Sequence, residues 1–242
     1  MRWIFLSPHL DDAVYSCGGL IYDLSLAGQS VEVWTVCAGD PPPGPLSPQA
    51  ERMQREWGTG SAAATVALRR AEDRAALARV GAAGWHLDVP DCIYRRTPSG
   101  EACYPDRYAG PRAAAEAGLP EQIAATLASR LRPDDALVCP LAVGGHLDHV
   151  LVRDSVRALG RRLRYYPDIP YVLNFPGRLS GAAAGMQPQL QPVSDTGLEA
   201  WLAGIAAYAS QLGVQFQDEA RMRARMRAYW ERQHGIQLWT AV

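Results

Sequence analysis

Residues 3–37 read WIFLSPHLDDAVYSCGGLIYDLSLAGQSVEVWTVC, and the fold follows from this stretch. Trp3 to Ser7 is an apolar run of strand length, and Val31 to Cys37 is a second. Between them, Val14, Cys17, Ile21 and Leu24 recur at the spacing of one helix face over Ala13 to Leu26, and Gly28 supplies the stop. Strand, loop, helix and strand in so short a span make a βαβ unit. Its crossover is right-handed and its two strands are parallel.

The alternation continues along the chain. Helices are expected at Ser61 to Val80, Leu119 to Leu131 and Asp148 to Arg162, and strands at Trp85 to Val89 and Ala136 to Leu141. Residues 39–60 are rich in glycine and proline and read as a long loop, and residues 91–118 show no clear period. A Tyr/Pro/Gly-rich stretch over 165–195 precedes two closing helices, near Gly197 to Leu212 and Asp218 to Gln233. The expectation is a single domain over residues 1–242, a Rossmann-like three-layer α/β sandwich with a mostly parallel sheet.

Composition narrows the function. Hydrophobic residues make up 48% of the 242, enough for a large core, so the chain is not a disordered one. A formal net charge of -1 with no basic run excludes a nucleic-acid binder. Five scattered cysteines, odd in number and never in a CxxC pair, point to reduced thiols rather than to disulfides or a zinc ribbon. No apolar run has the length of a signal-peptide core or a membrane span, so the expected address is the cytoplasm. Homo-oligomerisation stays open.

Ligands of an open α/β sheet sit beyond the carboxyl ends of its strands. Two polar clusters fall there. One is His9-Leu10-Asp11-Asp12 after the first strand, and the other is Gly144-Gly145-His146-Leu147-Asp148-His149 after the strand ending at Leu141. Taken singly, Asp12 could be a helix N-cap, and Asp148 and His149 residues of a first helical turn. Taken together they suggest a cation, because adjacent aspartates repel unless a metal or several donors neutralise them. His9 and Asp12 offer a nitrogen and an oxygen at i,i+3 spacing, and His149 offers a second nitrogen. Two histidines and a carboxylate make a catalytic zinc set that leaves a position open for water. Asp11 is then left as a base, and His146 as a donor to an oxyanion or an acid for a leaving amine. Asp148 could hold a histidine in one tautomer. Gly18 and Gly19 lie inside the helix rather than in the turn, so they read as close helix-to-sheet packing and not as a dinucleotide loop. There is no P-loop, GxSxG elbow or HExxH helix.

With these residues in view, the sequence resembles the PIG-L/LmbE family of zinc-dependent N-acetyl-sugar deacetylases. The resemblance is carried by PHLDD at 8–12 with the following GG, LRRAEDRAA at 68–76 and GGHLDHV at 144–150, with a weaker echo in AYASQ at 207–211. It implies one zinc per chain on His9, Asp12 and His149, a general base at Asp11, and His146 assisting at the carbonyl or the leaving amine, oriented by Asp148. It also implies substrate contacts from Asp91 and from Arg69 or Arg70, whose plain structural readings are a turn residue and a solvated helix face. Relatives often carry proline where this chain has Leu10 and Leu147, a departure that touches no ligand. The implied reaction is hydrolysis of the acetyl group of a small N-acetylglucosamine-type sugar or glycoconjugate.

Three alternatives stand beside that reaction. One is a related metal amidase acting on a thiol conjugate or an antibiotic intermediate. Another is a phosphoesterase, for which carboxylates for a second metal are lacking. The third is a non-catalytic sugar-binding domain with a residual zinc site, against which the presence of Asp11 and every ligand speaks.

Overall fold

The βαβ unit forms as its sequence dictates. β1 (Arg2–Ser7) pairs in parallel with β2 (Ser30–Thr35), and α1 (Asp12–Leu26) crosses between them. Every residue of β1 is buried because helices cover both faces of the sheet: Trp3 and Phe5 enter one core, Ile4 and Leu6 the other. In the computed structural model, which describes residues 1–241, five further strands complete one sheet. They are β3 (Ala83–His86), β4 (Ala136–Pro140), β5 (Leu163–Tyr166), β6 (Met186–Pro192) and β7 (Gly235–Ala241), in the order β3-β2-β1-β4-β5-β7-β6. β3, β2, β1, β4 and β5 run parallel, and β7 runs against both of its neighbours.

The helices are α1, α2 (Pro48–Trp57), α3 (Ala62–Val80), α4 (Leu119–Ala128), α5 (Leu147–Arg157), the short α6 (Tyr171–Asn174) and α7 (Leu179–Ala182), α8 (Asp195–Ala206), α9 (Ala209–Phe216) and α10 (Glu219–Glu231). α1, α3, α8 and α10 share one core with Trp3, Phe5, Val31, Val33 and Val138. α4 and α5 share the other with Ile4, Leu6, Trp34, Leu137 and Cys139. The result is the expected three-layer α/β sandwich. No helix among the described residues is long and apolar enough to cross a membrane.

Several boundaries differ from the sequence expectation, each for a physical reason. Residues 39–60 are not all loop, because α2 occupies 48–57. Ser47 accepts the Ala50 N–H, Pro48 sits in the first turn and Gly58 ends the helix at φ 65°. α2 buries only Gln49, Ala50 and Gln54, so hydrophobic period could not reveal it. β3 begins at Ala83 and stops at His86, short of the expected Val89. The helix expected to reach Arg162 ends at Arg157, which frees Leu163 to start β5. β6 is a largely exposed edge strand, MQPQLQP, in which two prolines and three glutamines hide the strand pattern. The single helix expected over 197–212 is two, α8 and α9, separated at Ala207 and Tyr208. Gly18 and Gly19 pack on α8 and its approach rather than on the sheet. A Cβ on Gly18 would stand 2.5 Å from Trp201 Cδ1, and one on Gly19 2.6 Å from Val193 Cγ1.

Candidate metal centre and active site

Strand order reverses at β1, whose neighbours are β2 and β4. The loops leaving β1 and β4 therefore diverge and open a crevice between them. A cavity of about 430 Å³ lies there, with His9, Asp11, Asp12, Asp91 and His146 along its polar wall. Neither aspartate of the pair is spent as a helix cap. Asp11 is the N-cap residue of α1 but makes no side-chain cap bond, and the Ala13 N–H is taken by Ser7 Oγ at 3.0 Å.

The hydrogen bonds around the histidines set where their lone pairs point. His9 Nε2 lies 2.9 Å from Asp148 Oδ2, so the neutral ring carries its proton there and leaves Nδ1 as an acceptor. His149 Nδ1 lies 2.6 Å from Asp168 Oδ1, which leaves Nε2 as an acceptor, buried and without a partner. Between these two nitrogens sits Asp12 Oδ2, 3.2 Å from His9 Nδ1 and 3.4 Å from His149 Nε2. Asp12 Oδ2 therefore lies against both nitrogens, and the orphaned His149 nitrogen is the observation that a cation there would explain. Nitrogens of His9, His146 and His149 also come within 4.8 Å of one another, so His146 borders the same point. Burial lowers the proton affinity of His9 and His149, but neighbouring carboxylates overcome it, Asp91, Asp12 and Asp148 at His9 and Asp12 and Asp168 at His149. Both rings end up more basic than an ordinary histidine.

Asp148 has a different partner from the one expected. Its carboxylate holds His9, the Cys92 N–H at 2.9 Å and Arg95 Nη1 at 2.5 Å, and it makes no bond to the His146 ring. The reason is local. His146 is the N-cap of α5, and its Nδ1 accepts the backbone N–H of Asp148 at 3.2 Å, so the Asp148 side chain leaves on another side of the helix. His146 is thereby a donor through Nε2. Burial and the neighbouring His9 hold it neutral, well below the usual histidine range. Its ring lies nearly parallel to Tyr108, with centroids 5.5 Å apart.

Asp11 faces Arg69, whose Nη2 lies 3.4 Å from Asp11 Oδ2. Burial pushes the Asp11 carboxyl up and Arg69 pulls it down, and with Asp12 beside it the balance is about 6. Arg69 is buried and lines the cavity, but Arg70 is not part of it. Arg70 turns away to the Ala38 carbonyl at 2.8 Å and to Asp40 at 2.9 Å. Asp91 combines both of its readings. It accepts the Ile93 N–H at 3.1 Å as a turn residue would, and its other oxygen stands 3.7 Å from His9 Nε2 at the cavity wall.

Two residues of this site were missed in the sequence. Asp168 follows β5 and also accepts the Val143 N–H at 3.0 Å, tying the β4 and β5 loops together. A carboxylate just past a strand end was the available signal, obscured by the missed strand. Arg95, held by Glu116 at 2.7 Å, supplies the charge that keeps Asp148 ionised. The stretches LRRAED and AYASQ turn out to be partners of each other. Ser210 bonds Glu72 through its N–H at 2.8 Å and its hydroxyl at 2.7 Å, and Tyr208 donates to Asp73 at 2.7 Å. Arg69 and Gln211, from the two clamped stretches, both line the cavity.

Comparison with known proteins finds relatives of the whole chain. The family model described as PIG-L, GlcNAc-PI de-N-acetylase, matches residues 4–159, well over half of the chain. The 2'-N-acetylparomamine deacetylase of Streptomyces fradiae is 31% identical over 179 residues, a match covering 70% of this chain and 57% of that protein. The chain thus spans little more than half the length of that relative. Among solved structures, teicoplanin deacetylase in a zinc-inhibited form has a TM-score of 0.85 at 26% identity, covering 100% of this chain and 98% of that one. An antimicrobial pseudoaglycone deacetylase has a TM-score of 0.75 at 27% identity, with 99% and 96% covered. From β1 through α5, and with both polar loops inside the matched span, this chain belongs to the PIG-L family.

Proposed function

We propose that the protein is a zinc-dependent N-deacetylase, hydrolysing the acetamido group of an N-acetylglucosamine-type sugar or glycoconjugate. The carrying observation is Asp12 Oδ2 set against both His9 Nδ1 and His149 Nε2, the latter left without a hydrogen-bond partner, beside an Asp11 carboxylate that caps no helix. The assigned ligands are His9 Nδ1, Asp12 Oδ2 and His149 Nε2, one zinc for the single domain. When bound, zinc supplies a Lewis acid at the acyl carbonyl and lowers the pKa of water.

The chain's own residues do the rest. Asp11 takes a proton from the attacking water, a role suited to a carboxyl poised near 6. His146, neutral and protonated at Nε2, donates a hydrogen bond to the carbonyl oxygen as negative charge builds on it. The C–N bond then breaks. The acyl carbon keeps the oxygen of water and leaves as acetate, and both protons of that water end on the sugar nitrogen, the first of them returned by Asp11. Arg69 and Asp91 hold the sugar, while Asp148 and Asp168 orient His9 and His149. Five unpaired cysteines support a reducing compartment such as the cytoplasm.

The test is acetate release from a panel of N-acetylated sugars and glycosides, with protein stripped by chelator and then reloaded. Acetate should appear only after about one equivalent of zinc is restored. Turnover by the stripped protein, or none by the reloaded protein on any member, would overturn this function.

A further inference from the structure

The cavity at the metal centre continues past its rim. Asn174, Val214 and Gln215 line it, and the same three residues line a second hollow of about 500 Å³ between the end of α6 and the turn joining α9 to α10. Apolar surface marks the way between them: Phe175 is 47% exposed and Val214 40%. An apolar segment of ligand crossing from the first hollow to the second would cover both side chains.

The two hollows differ in charge. The first is walled by the carboxylates of Asp11, Asp12, Asp91 and Glu56 together with Arg52 and Arg69. The ionisable residues of the second are Arg221 and Arg225, with no carboxylate among its described lining residues. Arg221 is already committed to Asp218 at 3.7 Å. Arg225 is half-buried over the Phe216 ring, and its Nη2 donates to the neutral amide oxygen of Asn174 at 2.7 Å. No carboxylate lies within ion-pair distance of it among the described residues. Asn174 thus holds the guanidinium at the junction of the two hollows, while Nε and Nη1 and a whole positive charge stay uncommitted.

We propose that Arg225 forms a distal subsite for a carboxylate. On the deacetylase reading, from which this inference starts, the substrate is then an N-acetylamino sugar joined to an extended aglycone. That aglycone has an apolar middle seated over Phe175 and Val214 and a carboxylate beyond it. One free guanidinium balances one negative charge, and its planar fork matches a carboxylate better than it matches a neutral amide.

Matched glucosaminides test this. The N-acetylglucosaminides of 4-carboxyphenol and 4'-carboxybiphenol, and their carboxamide counterparts, give two reaches at equal size and different charge. Acetate release is measured with the N-acetyl compounds on the zinc-loaded full chain. Equilibrium affinity is measured calorimetrically with the corresponding free amines, which do not turn over. At one reach at least, the carboxylate should bind about tenfold more tightly than the carboxamide, as expected for a hydrogen bond to a charged group. Arg225→Gln should abolish that preference, and Arg225→Glu should reverse it. Equal affinities at both reaches, or a preference that survives Arg225→Gln, would overturn the subsite. Failure of the deacetylase reading looks different: no acetate from any compound, with the carboxylate preference intact.

Discussion

Oδ1 of Asp168 lies 2.6 Å from Nδ1 of His149, and that bond turns the opposite nitrogen of the ring into a lone pair with nothing to accept from. Nineteen residues separate the two in sequence. A carboxylate behind a metal-binding histidine fixes its tautomer and raises its basicity, and losing it costs about 10- to 100-fold in metal affinity. Asp168→Asn keeps an acceptor for the Val143 N–H, so the loops stay joined while the charge is removed. Its zinc affinity, measured by competition with a chromogenic chelator, should fall by about that range. His149→Ala should hold no zinc at equimolar metal. Unchanged affinity in Asp168→Asn would detach Asp168 from the site.

Asp11 and Asp12 are adjacent in sequence but face different groups, Arg69 and the histidine pair respectively. Asp12→Asn should therefore lose zinc. Asp11→Asn should keep zinc and the fold, yet lose kcat by about 100- to 10,000-fold with little change in KM. The acidic limb of the rate profile should flatten in that variant, because a base works only when ionised. A zinc-replete Asp11→Asn protein with most of its kcat would show that Asp11 serves for charge alone.

The two neighbouring arginines give a paired comparison. Arg69→Gln removes a buried cavity group, so KM for an N-acetyl sugar should rise about tenfold or more, the size of a lost hydrogen bond to a charged group. Arg70→Gln removes contacts to Ala38 and the exposed Asp40, where an ion pair contributes about 1 kcal/mol or less. Its kinetics should stay within about threefold of the parent, since only a surface pair is lost. Equal effects from both would mean that the arginines act through helix α3 rather than at the cavity. Asp91→Ala should also raise KM while zinc stays bound.

Gly18 offers a test of the packing beneath the site. Its missing Cβ makes room for Trp201, whose indole N–H also donates to the Val14 carbonyl at 2.8 Å. Gly18→Ala should push α8 off α1 and destabilise the fold by about 1–3 kcal/mol, the usual cost of overpacking, as read from urea denaturation. Gly28→Ala is the contrast. Nothing stands near its Cβ, so any loss there reflects only the backbone at φ 75°. Full stability in Gly18→Ala would show that α8 docks more loosely than the contact implies.

Much of the centre of the molecule was legible from sequence because its signals are short-range. Trp3 to Ser7, the helical spacing from Val14 to Leu24 and the glycine stops each depend on a few neighbouring residues. α2 and β6 were not legible, since the first buries almost no apolar residue and the second is an exposed edge of glutamine and proline. β5 was missed because α5 stops at Arg157, short of the expected Arg162.

The sequence by itself determined that one βαβ unit opens the chain and that His9, Asp11, Asp12, His146 and His149 leave two strand ends, because periodicity and clustering are written locally. Tertiary structure alone decided which carboxylate serves which histidine. Asp148 went to His9 because the first turn of α5 spends its backbone N–H on His146, and Asp168 reached His149 because β5 lies beside β4. It also separated Arg69 from Arg70, which stand about 100° apart around one helix and so face different sides. Such choices depend on strand order and on the rotation of each helix about its axis. Both are fixed by contacts between residues far apart in the chain.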